Sequence, residues 1–269
     1  MQVGTNSNDL PWAFGKEAIL DDQILDLYRK YARIHLRLFP YIWTYSQKLR
    51  EDGRAIQRPL GLAFPELKTH PSDVYLLGDS ILVAPVTEAG QTNRSFVAPD
   101  GLWFDFFTGE THVGGTTITV NAPLEKIPVL VREGALIPML RPSIDSILQA
   151  DPEYGIESFD EDAGDLWVFM NPGEQSTFRL YDGTLLKQET SPTFISFERV
   201  KGETFKKGLI LEVGGLTSIP QSVSVDGVSV ETRVEGDGMV GITWDWRTER
   251  GGVARIRIGA ENTAIVIER

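Results

Sequence analysis

The chain has 269 residues, 41% of them hydrophobic and 24% charged, which is enough for one large domain or two ordinary ones, each with its own core. Twenty-six Lys and Arg against 38 Asp and Glu leave a net charge of −12, a field that repels phosphate backbones and anionic lipid and argues against nucleic acid or a membrane as partner. No stretch approaches the ~18 consecutive apolar residues of a membrane span, the opening MQVGTNSNDLPW lacks the charged and apolar regions of a signal peptide, and zero cysteines exclude disulfides and thiolate chemistry while leaving the compartment open.

Residues 22–52 carry a helical pattern, with Ile24, Tyr28, Tyr31, His35, Leu38, Ile42, Tyr45 and Leu49 at three- and four-residue steps. Asp21 can cap the start and Gly53 the end, while Pro40 removes a backbone donor and predicts a kink or split near the middle. Leu25, Ala32, Leu36 and Phe39 widen the stripe, so the helix is expected to pack on two neighbours. His35, on this stripe, reads as a core histidine, and His70 and His112 as surface residues. The three are too far apart in sequence for a metal-ligand spacing.

From about residue 80 the period becomes two, with β-rich runs parted by Gly, Pro, Asn and Asp. Strands are predicted at 81–86, 94–99, 102–107, 116–123 and 127–132. A second series is predicted at 165–170, 176–181, 194–200, 209–213, 222–230, 241–246, 254–259 and 263–269. The spacing suits antiparallel sandwiches, and Asp226-Gly227 marks a two-residue hairpin turn. Between the two series lies a segment with seven acidic residues from Asp151 to Asp165, read as a linker or long loop. Calcium ligation by Asp160, Asp162 and Asp165 lacks the EF-hand pattern. Trp103, Trp167, Trp244 and Trp246 lie in alternating strands, where core packing is the commoner fate, although an exposed set would make a sugar platform.

Taken in order, PWAFG (11–15), LRLFPYIWTY (36–45), RPLGLAFP (58–65), YLLGDSILVAPV (75–86), WFDFFTGE (103–110), APLEKIPVLVREGALIP (122–138) and FRLYDG (178–183) resemble the C-terminal third of glycoside hydrolase family 31. The resemblance implies a mainly β chain: the C-terminal end of a (β/α)8 barrel over residues 1–78, as a kinked helix plus two strands, then a proximal antiparallel β-sandwich over 79–140 and a distal one over 141–269. Met1 to Val3 would end the seventh barrel strand and Ala55 to Phe64 would be the eighth.

The activity implied is that of a retaining α-glycosidase acting on α-glucosides or α-xylosides without metal or organic cofactor. Such chemistry needs two carboxylates about 5 Å apart, which in this family sit on earlier barrel strands. A barrel takes about 250 residues, so the chain is expected to lack both and to be inactive alone, with an upstream barrel segment as its partner and carbohydrate reached through the parent enzyme. Asp79 reads as a carboxylate capping loop amides. The loop at 4–12 would lie on the catalytic face, where Asn6, Asn8, Asp9 and Trp12 are candidate sugar contacts, or serve loop geometry and packing. Many family members carry a His on the preceding strand that contacts sugar hydroxyls; here the run reads Met1-Gln2-Val3-Gly4. The rival readings are a carbohydrate-binding module and a purely structural or interaction sandwich. Without barrel neighbours, residues 1–65 are expected to be poorly protected or self-associating, and 79–269 to be autonomous.

Overall fold

The computed structural model describes residues 21–68, 70–231 and 241–269. The long helical pattern is split in two, α1 (Asp21–Arg37) and α2 (Phe39–Asp52). Pro40 stands in the first turn of α2, where its missing N–H costs nothing, and Gly53 closes that helix in the left-handed region with its N–H on the Leu49 carbonyl. A short strand β1 (Gln57–Pro59) and one helical turn α3 (Leu60–Ala63) follow.

The next strands are β2 (Tyr75–Leu77), β3 (Ile81–Val83), β4 (Asn93–Val97), β5 (Leu102–Asp105), β6 (Thr111–Val113), β7 (Thr117–Asn121), β8 (Val129–Arg132) and β9 (Leu136–Met139). Beyond the acidic segment come β10 (Leu166–Met170), β11 (Gln175–Arg179), β12 (Leu185–Thr190), β13 (Phe194–Val200) and β14 (Gly208–Val213). The chain ends on β15 (Ser222–Val225), β16 (Val228–Ser229), β17 (Thr243–Arg247), β18 (Val253–Gly259) and β19 (Ala264–Glu268).

One six-stranded sheet runs β1-β2-β3-β8-β5-β6 and faces the β4-β7 pair. Between them lies a core of Leu76, Leu82, Phe96, Trp103, Val120 and Leu130. A five-stranded sheet, β17-β18-β14-β10-β9, packs on a second six-stranded sheet, β11-β12-β13-β19-β15-β16. The inner positions of these two, Val168, Leu211 and Ile256 against Phe197, Ile265 and Ile267, share one cluster, as alternating strands must when each covers one apolar face. Full burial of such side chains contributes about 1.5–3 kcal/mol each before the entropy of ordering them.

Three expectations need correction. The sandwich is not wholly antiparallel: β10 and β14 pair in parallel, because β11, β12 and β13 carry the chain through the opposite sheet and return it at the same end. The helices are integral rather than loose, with Leu38 and Tyr41 buried in the cluster that also holds Ile81 and Val168. On the first turns of α1, Ile24, Leu25, Leu27 and Tyr28 are half-buried. His35 is exposed and His112 buried, since helical register turns His35 away from the sheets while pairing with Trp103 carries His112 inward. Of the four tryptophans, Trp103 and Trp244 are buried, with Nε1 donating to the Pro99 and Val230 carbonyls, and Trp167 and Trp246 are half-buried against the core.

Two carboxylates organise whole turns. Asp105, fully buried, accepts from the Phe107 and Thr108 amides and pairs with Lys126 Nζ at 2.6 Å. Substituting Asp105→Asn strands a buried ammonium, so unfolding free energy from urea titration should fall by about 3–5 kcal/mol, with Lys126→Met in the same chain restoring part. Asp226 takes a left-handed φ of 49° in its hairpin and accepts from Thr263 N, Thr263 Oγ1, Ala264 N and Asn262 Nδ2. The Asn262 amide first, then the two backbone amides, hold its carboxyl below the usual carboxylate range. Stability from a depressed acid is present above the unfolded value and is lost as pH falls through the folded one. Asp226→Asn should therefore flatten the acid limb of the stability curve below about pH 4.

Candidate functional site

Four of the motif segments converge on one place. From α2, Tyr41 and Tyr45 project one turn apart and meet edge-on at 4.9 Å between ring centroids. Tyr41 stacks on Phe178 at 5.7 Å, while Lys48 Nζ lies 5.2 Å from that ring's centre and 5.0 Å from that of Tyr45. The Tyr41 hydroxyl donates to the Leu77 carbonyl (3.1 Å) and accepts from Ser80 N (3.2 Å). The Tyr45 hydroxyl donates to Asp79 Oδ2 (3.0 Å) and accepts from Asp79 N (3.1 Å). Thr44 completes the join by accepting from Tyr181 N at 3.1 Å.

Gly78 explains how two rings can lie so close to a backbone turn. Its φ is +61°, and a Cβ there would occupy the space of the Tyr41 hydroxyl and the Tyr45 ring. Burial pushes Tyr41 up to about 12 and raises Tyr45 further, with the Tyr41 and Asp79 charges adding to burial at Tyr45. Both hydroxyls therefore stay protonated and serve as fixed donors and acceptors.

Arg58, on β1, closes the knot. Its guanidinium is buried and donates to the Gly78 carbonyl at 2.6 Å and to Asp79 Oδ1. Asp79 thus holds a strand and a helix together rather than capping loop amides, because Arg58 and Tyr45 reach its two oxygens first. A cleft of about 270 Å³ opens beside it, lined in part by Lys48, Glu51, Arg54 and Asp79. Arg54 is paired with Asp52 at 3.1 Å, and Asp79 is already engaged. The arrangement is suited to fixing α2 against β1 and β2, and it offers no pair of free carboxylates for acid–base work.

Asn6, Asn8, Asp9 and Trp12 lie outside the described residues. In the acidic segment, Asp162 pairs with Lys207 at 2.5 Å and Asp165 with Arg257 at 3.1 Å, so lysine and arginine answer these carboxylates. Tyr45 and Arg58 were not readable as partners of Asp79 from sequence. The signals were a tyrosine pair one helical turn apart and a glycine directly before an acid, both of which also occur in ordinary helices and turns. Asp79 is half exposed, so water screens part of the loss when its charge is removed. Asp79→Asn should cost about 1–2 kcal/mol, less than the fully buried pair at Asp105, with faster amide exchange over residues 39–52.

Residues 53–137 match the family model of the glycosyl hydrolase family 31 C-terminal domain. An α-xylosidase of Saccharolobus solfataricus is 33% identical over 175 residues, covering 64% of this chain and 22% of that protein. An isomaltosyltransferase of Sporosarcina globispora is 32% identical over 138 residues, 51% of this chain and 12% of its own length. Alpha-glucosidase 2 of Bacillus thermoamyloliquefaciens is 28% identical over 174 residues, 64% of this chain and 20% of its own. The chain thus aligns with between about an eighth and about a fifth of each of these relatives. A dextranase of Flavobacterium johnsoniae from family 31 superposes over 99% of this chain and 34% of its own, at a TM-score of 0.79 and 26% identity. A shared fold along nearly the whole chain, relatives of one kind and a family 31 C-terminal domain over residues 53–137 make this chain similar to the C-terminal portion of glycoside hydrolase family 31 proteins.

Proposed function

We propose that the chain is the supporting end of a retaining α-glycosidase acting on α-glucosidic or α-xylosidic bonds. On this reading residues 1–78 finish a (β/α)8 barrel, 79–140 form a proximal sandwich and 141–269 a distal one. The observation that carries it is the knot of Tyr41, Tyr45, Arg58 and Asp79, which fastens a helix and a short strand rigidly to the sheets. A second feature supports it: β1 stands at the edge of its sheet with β2 as its partner on one side. Among the described residues its other edge has no strand partner, and a strand from an upstream barrel segment would fit there.

The relatives named above include an α-xylosidase and an α-glucosidase, which motivates the substrate class. Double displacement requires a nucleophile and an acid–base carboxylate about 5 Å apart and no metal or organic cofactor. Asp79, in the knot, and Asp105, at the β5 turn, are consumed by Arg58 and Lys126. The role of this chain is to hold the last barrel elements in place, with the loop at 4–12, including Asn6, Asn8, Asp9 and Trp12, as one wall of the sugar pocket.

Purified chain should show no turnover of aryl α-glucosides or aryl α-xylosides, and co-expression with the upstream barrel of a family member should restore it. Turnover by the chain alone that survives repurification would overturn the support role. Complemented chain that binds the barrel yet cleaves neither substrate would overturn the assignment of bonds.

A further inference from the structure

Among the described tryptophans, the one that neither the core nor the knot uses is Trp43. It lies on α2 with 42% of its surface exposed, and its ring is held by stacking on Phe39, with centroids 6.0 Å apart and planes 17° from parallel. Phe39 meets Phe159 edge-on at 5.2 Å, and Phe159 lies 6.1 Å from the buried Phe205. The solvent-facing indole is therefore the outer end of an aromatic series that runs from α2 into the acidic segment. A cleft of about 360 Å³ opens against Phe159, with Asp160, Asp162, Thr204 and Lys207 among its polar lining.

This combination selects a class of ligand. A rigid aromatic face with water on one side attracts the flat C–H face of a sugar ring, and the hydroxyls around that ring need acceptors and donors together. The cleft supplies carboxylates, a hydroxyl and an ammonium within one opening. A purely apolar partner would strip water from the Asp160 carboxylate and the Asp162–Lys207 pair without replacing its hydrogen bonds, and a polyanion meets the chain's −12 field. A neutral polyol faces neither cost.

We propose that the ridge of Trp43, Phe39 and Phe159, with its adjoining cleft, is a holding site for a linear neutral α-glucan. The inference rests on the carbohydrate reading above and extends it to a surface of this chain. Binding takes place on the isolated chain and involves no bond cleavage. Asp162 stays charged through the neutral range because the Lys207 ammonium holds its carboxyl below the usual value.

Native electrophoresis of the chain in gels cast with soluble starch or with dextran tests this directly, with indole fluorescence during maltotriose titration as a second readout. Retardation in at least one polysaccharide gel is expected. Trp43→Ala should weaken it by about fivefold or more, Phe159→Ala should weaken it less, and Trp43→Tyr should largely retain it, since ring stacking of this kind is worth about a factor of five to ten. Circular dichroism identifies a variant that has merely unfolded, and Trp43→Tyr keeps the test open in that event. Free migration of the native chain in both gels overturns the proposal, as does retardation indifferent to Trp43. Light scattering that shows a dimer dispersed by Trp43→Ala, without any glycan effect, assigns the surface to self-association and overturns it too. Restored hydrolysis in the complementation assay, together with free migration here, sinks this site while leaving the glycosidase reading standing.

Discussion

Two phenol hydroxyls placed against a turn that has no side chain hold the molecule's two kinds of architecture together. Tyr41 and Tyr45 bond to Ser80 N, Asp79 N and the Leu77 carbonyl, the backbone groups that face the helix where it covers the turn. A buried amide or carbonyl without a partner costs about 1–3 kcal/mol, so the helix can lie on this turn only because its own side chains replace the water it displaces. Once α2 is seated, Thr44 fixes the turn at Tyr181, Arg37 Nε reaches the Leu140 carbonyl at 3.0 Å, and Leu38 enters the core between the sheets. The positions of α1, β1 and the cleft beside Asp79 all follow from that seating.

The same logic accounts for the character of the most recognisable sequence segments. WFDFFTGE and APLEKIPVLVREGALIP are joined by the Asp105–Lys126 pair, and Glu133 Oε1 accepts from the Leu102 amide at 2.9 Å. LLGDS, RPLG, PYIWTY and FRLYDG meet at the knot. These segments bear charged and aromatic residues in strict patterns because they must satisfy buried polar groups at joints between layers, where one wrong side chain leaves a charge or an amide unpaired. A recognisable motif can therefore mark a joint rather than a reacting centre.

Strands that alternate strongly, such as 194–200 and 254–259, were legible in sequence almost to the residue, and the Asp226-Gly227 hairpin and the break at Pro40 were legible from turn chemistry alone. What escaped was polar or proline-bearing. β12 reads LLKQET, and Gln188 turns inward to donate to the Asn171 carbonyl and Ser176 Oγ. β9 contains Pro138 and is buried along its whole length, so it shows no period of two. The parallel pairing of β10 with β14 was invisible because strand direction depends on which sheet the intervening chain enters. At the knot, Asp79 stood out as an acid in a turn, but its partners come from residues 21 and 34 positions away, a distance at which local pattern carries no information.

The place of β19 in its sheet bears on how the protein can be made. Residues 264–268 do not hang at an edge; they lie between β13 and β15 and bond to both, while β18, only a few residues earlier, lies between β14 and β17. On a ribosome, where domains form as the chain emerges, β13 and β15 must wait for the strand that separates them. Through that interval the apolar faces of β10 through β14 are already synthesised and have no finished sheet to cover them. A nascent chain of this order is exposed to chaperones and to wrong strand partners until residues 264–268 have left the exit tunnel, and slow closure of such long-range pairs is the expected kinetic consequence.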